Sequence, residues 1–110
     1  MKRFALTLDL KNEKELIDAY ISHHRNVWPE VIKSIRDSGI QEMEIFNVAD
    51  RLFMIISTQD DFSFDKKSAM DKLNQKVQDW ETLMDQYQRK LPFAKSHEKW
   101  VLMTSIFSLT

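Results

Sequence analysis

The sequence predicts a single α+β domain with the element order strand, helix, strand, strand, helix, strand. Three observations carry that expectation. Phe4, Leu6, Leu8 and Leu10 alternate with Arg3, Ala5, Thr7 and Asp9, the period of a strand buried on one face. Ile40 to Val48 and Arg51 to Gln59 are strand-like segments separated only by Ala49-Asp50, as in an antiparallel hairpin. Gln75 to Leu91 carries Val77, Trp80, Leu83, Met84, Tyr87 and Leu91 at helical spacing.

After the first strand, Asn12 to Arg25 reads as a helix, with Leu16, Ile17, Tyr20 and His24 on one face. Pro29 suits the first turn of a second helical piece, where a missing amide hydrogen costs nothing. Trp28, Val31, Ile32 and Ile35 form its apolar stripe, Gly39 ends it, and the two pieces join at a bend near Asn26. The hairpin follows. Leu52 to Ile56 is apolar on both sides, so both sheet faces should be covered. Asp60 to Phe64 is a polar loop and Asp65 to Leu73 a shorter helix. The helix from Gln75 closes at Pro92, a polar linker runs through Lys95, Ser96, His97 and Glu98, and Trp100 to Leu109 is the fourth strand. The result is a ferredoxin-like βαββαβ fold, a four-stranded antiparallel sheet with helices on one face. The open face of such a sheet is often covered by a second copy, the dimeric α/β-barrel type, so a homodimer is expected.

The chain has 110 residues, enough for one domain over 1–110; no internal repeat or low-complexity tract divides it. Sixteen basic residues stand against 17 acidic ones, for a formal net charge of -1, which offers nucleic acid no basic face. No cysteine is present, so disulfides and thiolate metal sites are excluded. Apolar runs are too short to span a bilayer and no targeting segment is legible, so a cytoplasmic location is expected. Gly39 is the only glycine, and a glycine-rich phosphate loop cannot form. Phosphoryl transfer from nucleotides and dinucleotide redox chemistry lose most of their support with it.

Chemistry concentrates in Tyr20-Ile-Ser-His-His-Arg-Asn-Val-Trp28-Pro-Glu30. Tyr20 and His24, four residues apart, project together from one helix face toward the sheet. Imidazole titrates near neutrality and moves protons in both directions. The same spacing also fits a structural reading, with Tyr20 as packing and His24 as a favourable helix terminus. His23 should face solvent and His97 should lie on the surface. Adjacent His23 and His24 cannot both point inward, and no metal-ligand spacing occurs, so no metal is expected. On the last helix Trp80 could stack on the apolar face of a sugar ring and Glu81 accept hydroxyl hydrogens; alternatively Trp80 is core and Glu81 its solvated neighbour. Glu42 and Glu44 share one strand face, either as acid–base groups in a cleft or as an exposed edge.

Tyr20-x-x-x-His24-x-x-x-Trp28-Pro29-Glu30 resembles the signature of the rhamnose mutarotase family. The resemblance continues through Met43 to Ile56, Gln78-Asp79-Trp80 and the aromatic C-terminal strand. It implies a cofactor-free ferredoxin-like dimer that interconverts the α and β anomers of a 6-deoxyhexose. By position, His24 resembles the proton donor, Tyr20 a substrate-binding residue, and Trp80 the first tryptophan of a substrate-binding pair. The second tryptophan of that pair is Glu81 here, and a substrate-contacting tyrosine is Met43. Met43-Glu44-Ile45-Phe46 with Trp80-Glu81 is similar to a bacterial branch labelled L-fucose mutarotase. The implied assignment is His24 as acid and base, with Tyr20, Met43, Glu44, Trp80 and Glu81 around the sugar. Two other functions fit the same fold. One is a cofactor-independent monooxygenase or haem-degrading enzyme using His24, Asn26 and Trp28; the other is a sugar-binding domain without catalysis.

Overall fold

The computed structural model describes residues 1–110. Strand β1 (Lys2–Leu10) leads into helix α1 (Lys14–His23), a 3-10 turn over His24–Asn26 and helix α2 (Pro29–Asp37). Strands β2 (Ile40–Val48) and β3 (Arg51–Thr58) follow, then helices α3 (Phe64–Lys72) and α4 (Gln75–Asp85) and two short strands, β4 (Gln88–Arg89) and β5 (Val101–Leu102). The sheet is antiparallel in the order β2-β3-β1-β4, with β5 also paired to β1. No helix is long and apolar enough to cross a membrane.

The ferredoxin-like α+β reading stands, with corrections at its C-terminal end. The helix expected over Gln75 to Leu91 stops at Asp85, and Gln88–Arg89 pairs with Asp9 and Leu10 of β1. Side-chain spacing misses this because Tyr87 and Leu91 keep their helical phase while the backbone changes partner. The fourth strand expected over Trp100 to Leu109 is a strand only at Val101–Leu102, opposite Thr7 and Leu6. The sheet therefore has five strands, two of them sharing one edge of β1. The first helix is also shorter than Asn12 to Arg25, because its last turn tightens into the 3-10 turn.

Local chemistry explains the boundaries. Pro29 sits at the start of α2, and Gly39 follows its end with φ of 101°, a region that penalises any side chain. A Cβ at Gly39 would meet only ordinary contacts, 3.5 Å from Gln59 Oε1 and 3.7 Å from Phe62, so the backbone angle rather than space demands glycine. The β2–β3 turn lacks glycine and places Ala49 at φ 51°. Asn47 Nδ2 donates to the Ala49 and Arg51 carbonyls and pins that turn. Asn74 caps α4 by accepting from the Lys76 and Val77 amides.

The alternation of β1 and β3 sorts the two sheet faces. Leu6, Leu8, Leu10, Leu52, Ile56 and Thr58 are buried beneath the helices. One core cluster joins Leu10 and Leu52 to Tyr20, Val31, Trp80 and Met84; another joins Leu6 and Ile56 to Ile40 and Phe62. Each fully buried aliphatic side chain contributes about 1.5–3 kcal/mol. On the open face, Asp9 is buried between Arg51 and Arg89, residues that flank it on β3 and β4. Arg51 Nε lies 2.7 Å from Asp9 Oδ1, and Arg89 Nη2 lies 3.3 Å from Asp9 Oδ2. Phe46 packs on Phe53 across this face at 6.1 Å and is 51% exposed.

Candidate active site

A mainly apolar cavity of about 320 Å³ lies between the inner sheet face and the helices. That volume is at the small end of ligand pockets, about 300–1,000 Å³. Tyr20, His24, Met43, Trp80 and Glu81 all line it. An adjoining hollow shares His24 and Met43 with it and continues to Arg36, Gln41 and Glu42. Five of the six residues singled out from sequence are thus brought to one cavity.

Glu44 is the exception. Met43 and Ile45 face the cavity, so the two-residue period of β2 turns Glu44 to the other side, where it is exposed. His97 is exposed, as its linker position implied. His23 is not solvent-facing: it is half-buried, its Nε2 lies 3.1 Å from the Tyr87 hydroxyl, and its ring meets Trp80 edge-on at 6.5 Å. The adjacent imidazoles both reach aromatic neighbours: His23 meets Tyr87 and Trp80, and His24 meets Tyr20 and Trp80. Asn26 is exposed, so His24, Asn26 and Trp28 do not enclose a common ligand site. No group of His, Cys, Asp or Glu converges as metal ligands.

His24 is held by main chain. Its Nδ1 lies 2.9 Å from the Tyr20 carbonyl oxygen. A carbonyl only accepts, so Nδ1 carries the hydrogen and the neutral ring keeps its lone pair on Nε2. The ring lies 4.4 Å from Tyr20 and 5.6 Å from Trp80, centroid to centroid. Burial lowers the His24 pKa below its ordinary 6.5, with the bond to Tyr20 opposing that shift and His23 assisting it. His24 is therefore neutral at pH 7 and equipped as a base at Nε2.

Tyr20 is buried, and burial raises its pKa. Gln88 Nε2 donates to the Tyr20 hydroxyl at 3.4 Å, which leaves the phenol hydrogen free to donate elsewhere. Gln88 Oε1 is buried without a hydrogen-bond partner, and Gln88 lines the cavity. Sequence reasoning missed Gln88 because it assigned the residue to a helix. It also missed Lys67, Asp71, Lys99 and Trp100 on the cavity wall. Trp80 is buried, meets Trp28 edge-on at 5.2 Å and belongs to both core and cavity, which reconciles its two sequence readings. Glu81 is half-buried, and burial is the main cause that raises its pKa.

The chemistry of the cavity is that of a base with a fixed tautomer, a phenol with a free hydrogen and an aromatic wall. The family model for L-rhamnose mutarotase matches residues 3–109. An L-fucose mutarotase from Xanthomonas campestris pv. campestris is 39% identical over 112 residues, covering 100% of this chain and 90% of that protein. The crystal structure of an L-rhamnose mutarotase from Formosa agariphila is similar with a TM-score of 0.73 at 20% identity, covering 100% of both chains. A dimeric ferredoxin-like protein from an uncultured marine organism is similar with a TM-score of 0.57 at 12% identity, covering 98% of this chain and 91% of that one. Those two structures speak to fold alone. The family match over almost the whole length and the full-length likeness to the Xanthomonas protein lead to one conclusion: this chain belongs to the L-rhamnose mutarotase family, sugar isomerases.

Proposed function

We infer that the chain interconverts the α and β anomers of a 6-deoxyhexose, L-fucose or L-rhamnose, in the cavity around His24. The observation that carries this reading is the bond from His24 Nδ1 to the Tyr20 carbonyl, because it leaves Nε2 as a ready base. Nε2 takes the proton of the anomeric hydroxyl. The oxygen's electron pair forms the aldehyde C=O, and the bond from C1 to the ring oxygen breaks. Tyr20 donates its free hydrogen bond to that ring oxygen as negative charge develops there, and the proton held on His24 Nε2 is then passed to the ring oxygen, leaving a neutral open aldehyde and a neutral imidazole. Rotation about the C1–C2 bond and the reverse steps close the ring on the other face, with no net gain or loss of protons. Met43, Trp80 and Glu81 contact the sugar; Glu44 has no part in this scheme. A positioned acid–base group supplies about 10²–10⁴-fold, ample for a reaction that already proceeds in water.

The test is saturation transfer between the anomeric proton resonances of L-fucose and of L-rhamnose. Wild type should accelerate exchange of at least one sugar and His24→Ala should not. Equal exchange by both proteins on every sugar would remove His24 from the reaction.

A homodimer through the open sheet face is part of the same reading. Phe46 and Val48 are 51% and 72% exposed there. The C-terminal segment adds Ile106, Phe107 and Leu109, all largely exposed. Isolated monomers rarely leave so much large apolar surface in water. Sedimentation equilibrium at micromolar concentration should give twice the monomer mass of 13.1 kDa.

A further inference from the structure

Helix α3 carries no continuous apolar stripe; its first residue, Phe64, packs on Phe4 and Phe62. Phe64, Lys67 and Asp71, at i, i+3 and i+7, all line the cavity. Its apolar Met70 and the following Leu73 are 38% and 90% exposed. Phe64 sets which face turns inward, and the side chains that follow it there are a charged pair. Lys14–Asp18 and Lys33–Asp37 are also i, i+4 pairs, but their side chains are more than half exposed. Lys67 Nζ and Asp71 Oδ2, 2.6 Å apart, have side chains only 24% and 13% exposed. Drawing an ion pair out of water costs desolvation that its mutual attraction does little more than offset. The charged pair therefore adds little stability of its own in that position, and polar groups placed inward in this way concentrate at functional sites.

The neighbours are polar as well. Glu81 of α4 and Lys99 line the same cavity, and the charges of Lys99, Asp71, Lys67 and Asp85 all act on the Glu81 carboxyl. Lys99 Nζ lies 2.5 Å from Asp85 Oδ1. The remaining polar side chains of the cavity are Tyr20, His24 and Gln88, joined through the Tyr20 hydroxyl and carbonyl, and Ser34. His24 and its partners account for the anomeric chemistry, and the α3 pair has no role in it.

We propose that Lys67 and Asp71, with Glu81, form a hydroxyl-reading subsite that grips adjacent ring hydroxyls remote from the anomeric carbon and sets which sugar configuration is turned over. The inference rests on the sugar-isomerase reading above. An ammonium has three donors and Lys67 uses one on Asp71 Oδ2, while Asp71 Oδ1 accepts no hydrogen bond. A ring hydroxyl both donates and accepts, so neighbouring hydroxyls can give a hydrogen to Asp71 and receive one from Lys67. L-Fucose and L-rhamnose differ in configuration at C2 and C4, which makes their ratio a direct readout of such a subsite.

The test uses full-length Asp71→Asn and the apolar double variant Lys67→Met/Asp71→Leu. Measurements are thermal melting, sugar binding followed by tryptophan fluorescence, and anomer exchange on both sugars. Loss of a charged hydrogen bond to substrate should raise KM about 10- to 100-fold, leave kcat within about threefold, and change the fucose-to-rhamnose ratio of kcat/KM. The double variant should melt no lower than wild type. That separates a binding role from a structural one, which would lower melting without reordering the sugars. If both variants keep the wild-type KM values and sugar ratio, the subsite is overturned; wild type that binds neither sugar overturns it too. If sugars bind with an order that Asp71→Asn changes but no anomer exchange occurs, the subsite stands and the mutarotase reading falls.

Discussion

His24 Nδ1 donates to the carbonyl oxygen of Tyr20, four residues earlier on α1, across 2.9 Å. The same residue thus supplies the main-chain atom that fixes the imidazole tautomer and the phenol that faces the cavity. Substituting the Tyr20 side chain leaves the tautomer in place. Tyr20→Phe should therefore retain a working base and lose only the hydrogen bond to the ring oxygen, about 2- to 10-fold in kcat/KM. His24→Ala should lose about 10²–10⁴-fold. Both are read by anomeric saturation transfer.

The pH dependence follows from the burial of His24. Its folded pKa lies below the ordinary 6.5. The acid limb of kcat/KM, which reports the free enzyme, should have its midpoint below 6.5. Stability carries the same sign. Between the two pKa values the unfolded chain binds more protons, so stability rises with pH there. The contribution is complete above 6.5 and is lost as pH falls through the folded value. Melting curves of wild type and His24→Ala, compared between pH 5 and 8 (about that range), should show wild type losing more stability on acidification.

Glu81 has the opposite linkage. Burial raises its folded pKa above the ordinary 4.5, so the folded state holds its proton more tightly. Its contribution to stability is complete below 4.5 and is lost as pH rises through the folded value. Glu81→Gln keeps the neutral shape at every pH. It should melt with wild type near pH 4 and increasingly above it toward neutrality, as differential scanning calorimetry would record.

Gln88 spends one donor on Tyr20 and leaves Oε1 buried without a partner. Gln88→Met removes both groups while filling a similar volume. Loss of the hydrogen bond to Tyr20 should lower kcat/KM about 2- to 10-fold, while removal of the orphaned acceptor should leave melting unchanged or raise it. A fall in both activity and melting temperature would instead mark Gln88 as packing.

The two halves of the site differ in how far they could be read from sequence. Tyr20 and His24 stand four residues apart where α1 runs into the 3-10 turn, so local spacing is enough to bring them together. Met43 faces the cavity by simple strand alternation. Gln88 was not legible, because helical spacing continues through Tyr87 and Leu91 while the backbone has already joined β1. The inward turn of Lys67 and Asp71 was also hidden: propensity and pattern both place a Lys–Asp pair in solvent, and only the tertiary setting turns it inward. The C-terminal strand is shorter than its residues suggest, because Val101, Ile106 and Phe107 favour a strand whether or not a partner strand is beside them.

The shared edge of β1 has a consequence for how this architecture can diversify. β4 pairs with β1 at Asp9 and Leu10 and β5 at Leu6 and Thr7, so residues 90–100 leave and rejoin the sheet at nearly the same place. That segment delivers Lys99 and Trp100 to the cavity wall. Its length and composition are free to change while the sheet register, and with it the main-chain clamp on His24, stays as it is. The part of the cavity wall that Lys99 and Trp100 supply is thus mechanically separable from the frame that holds the base.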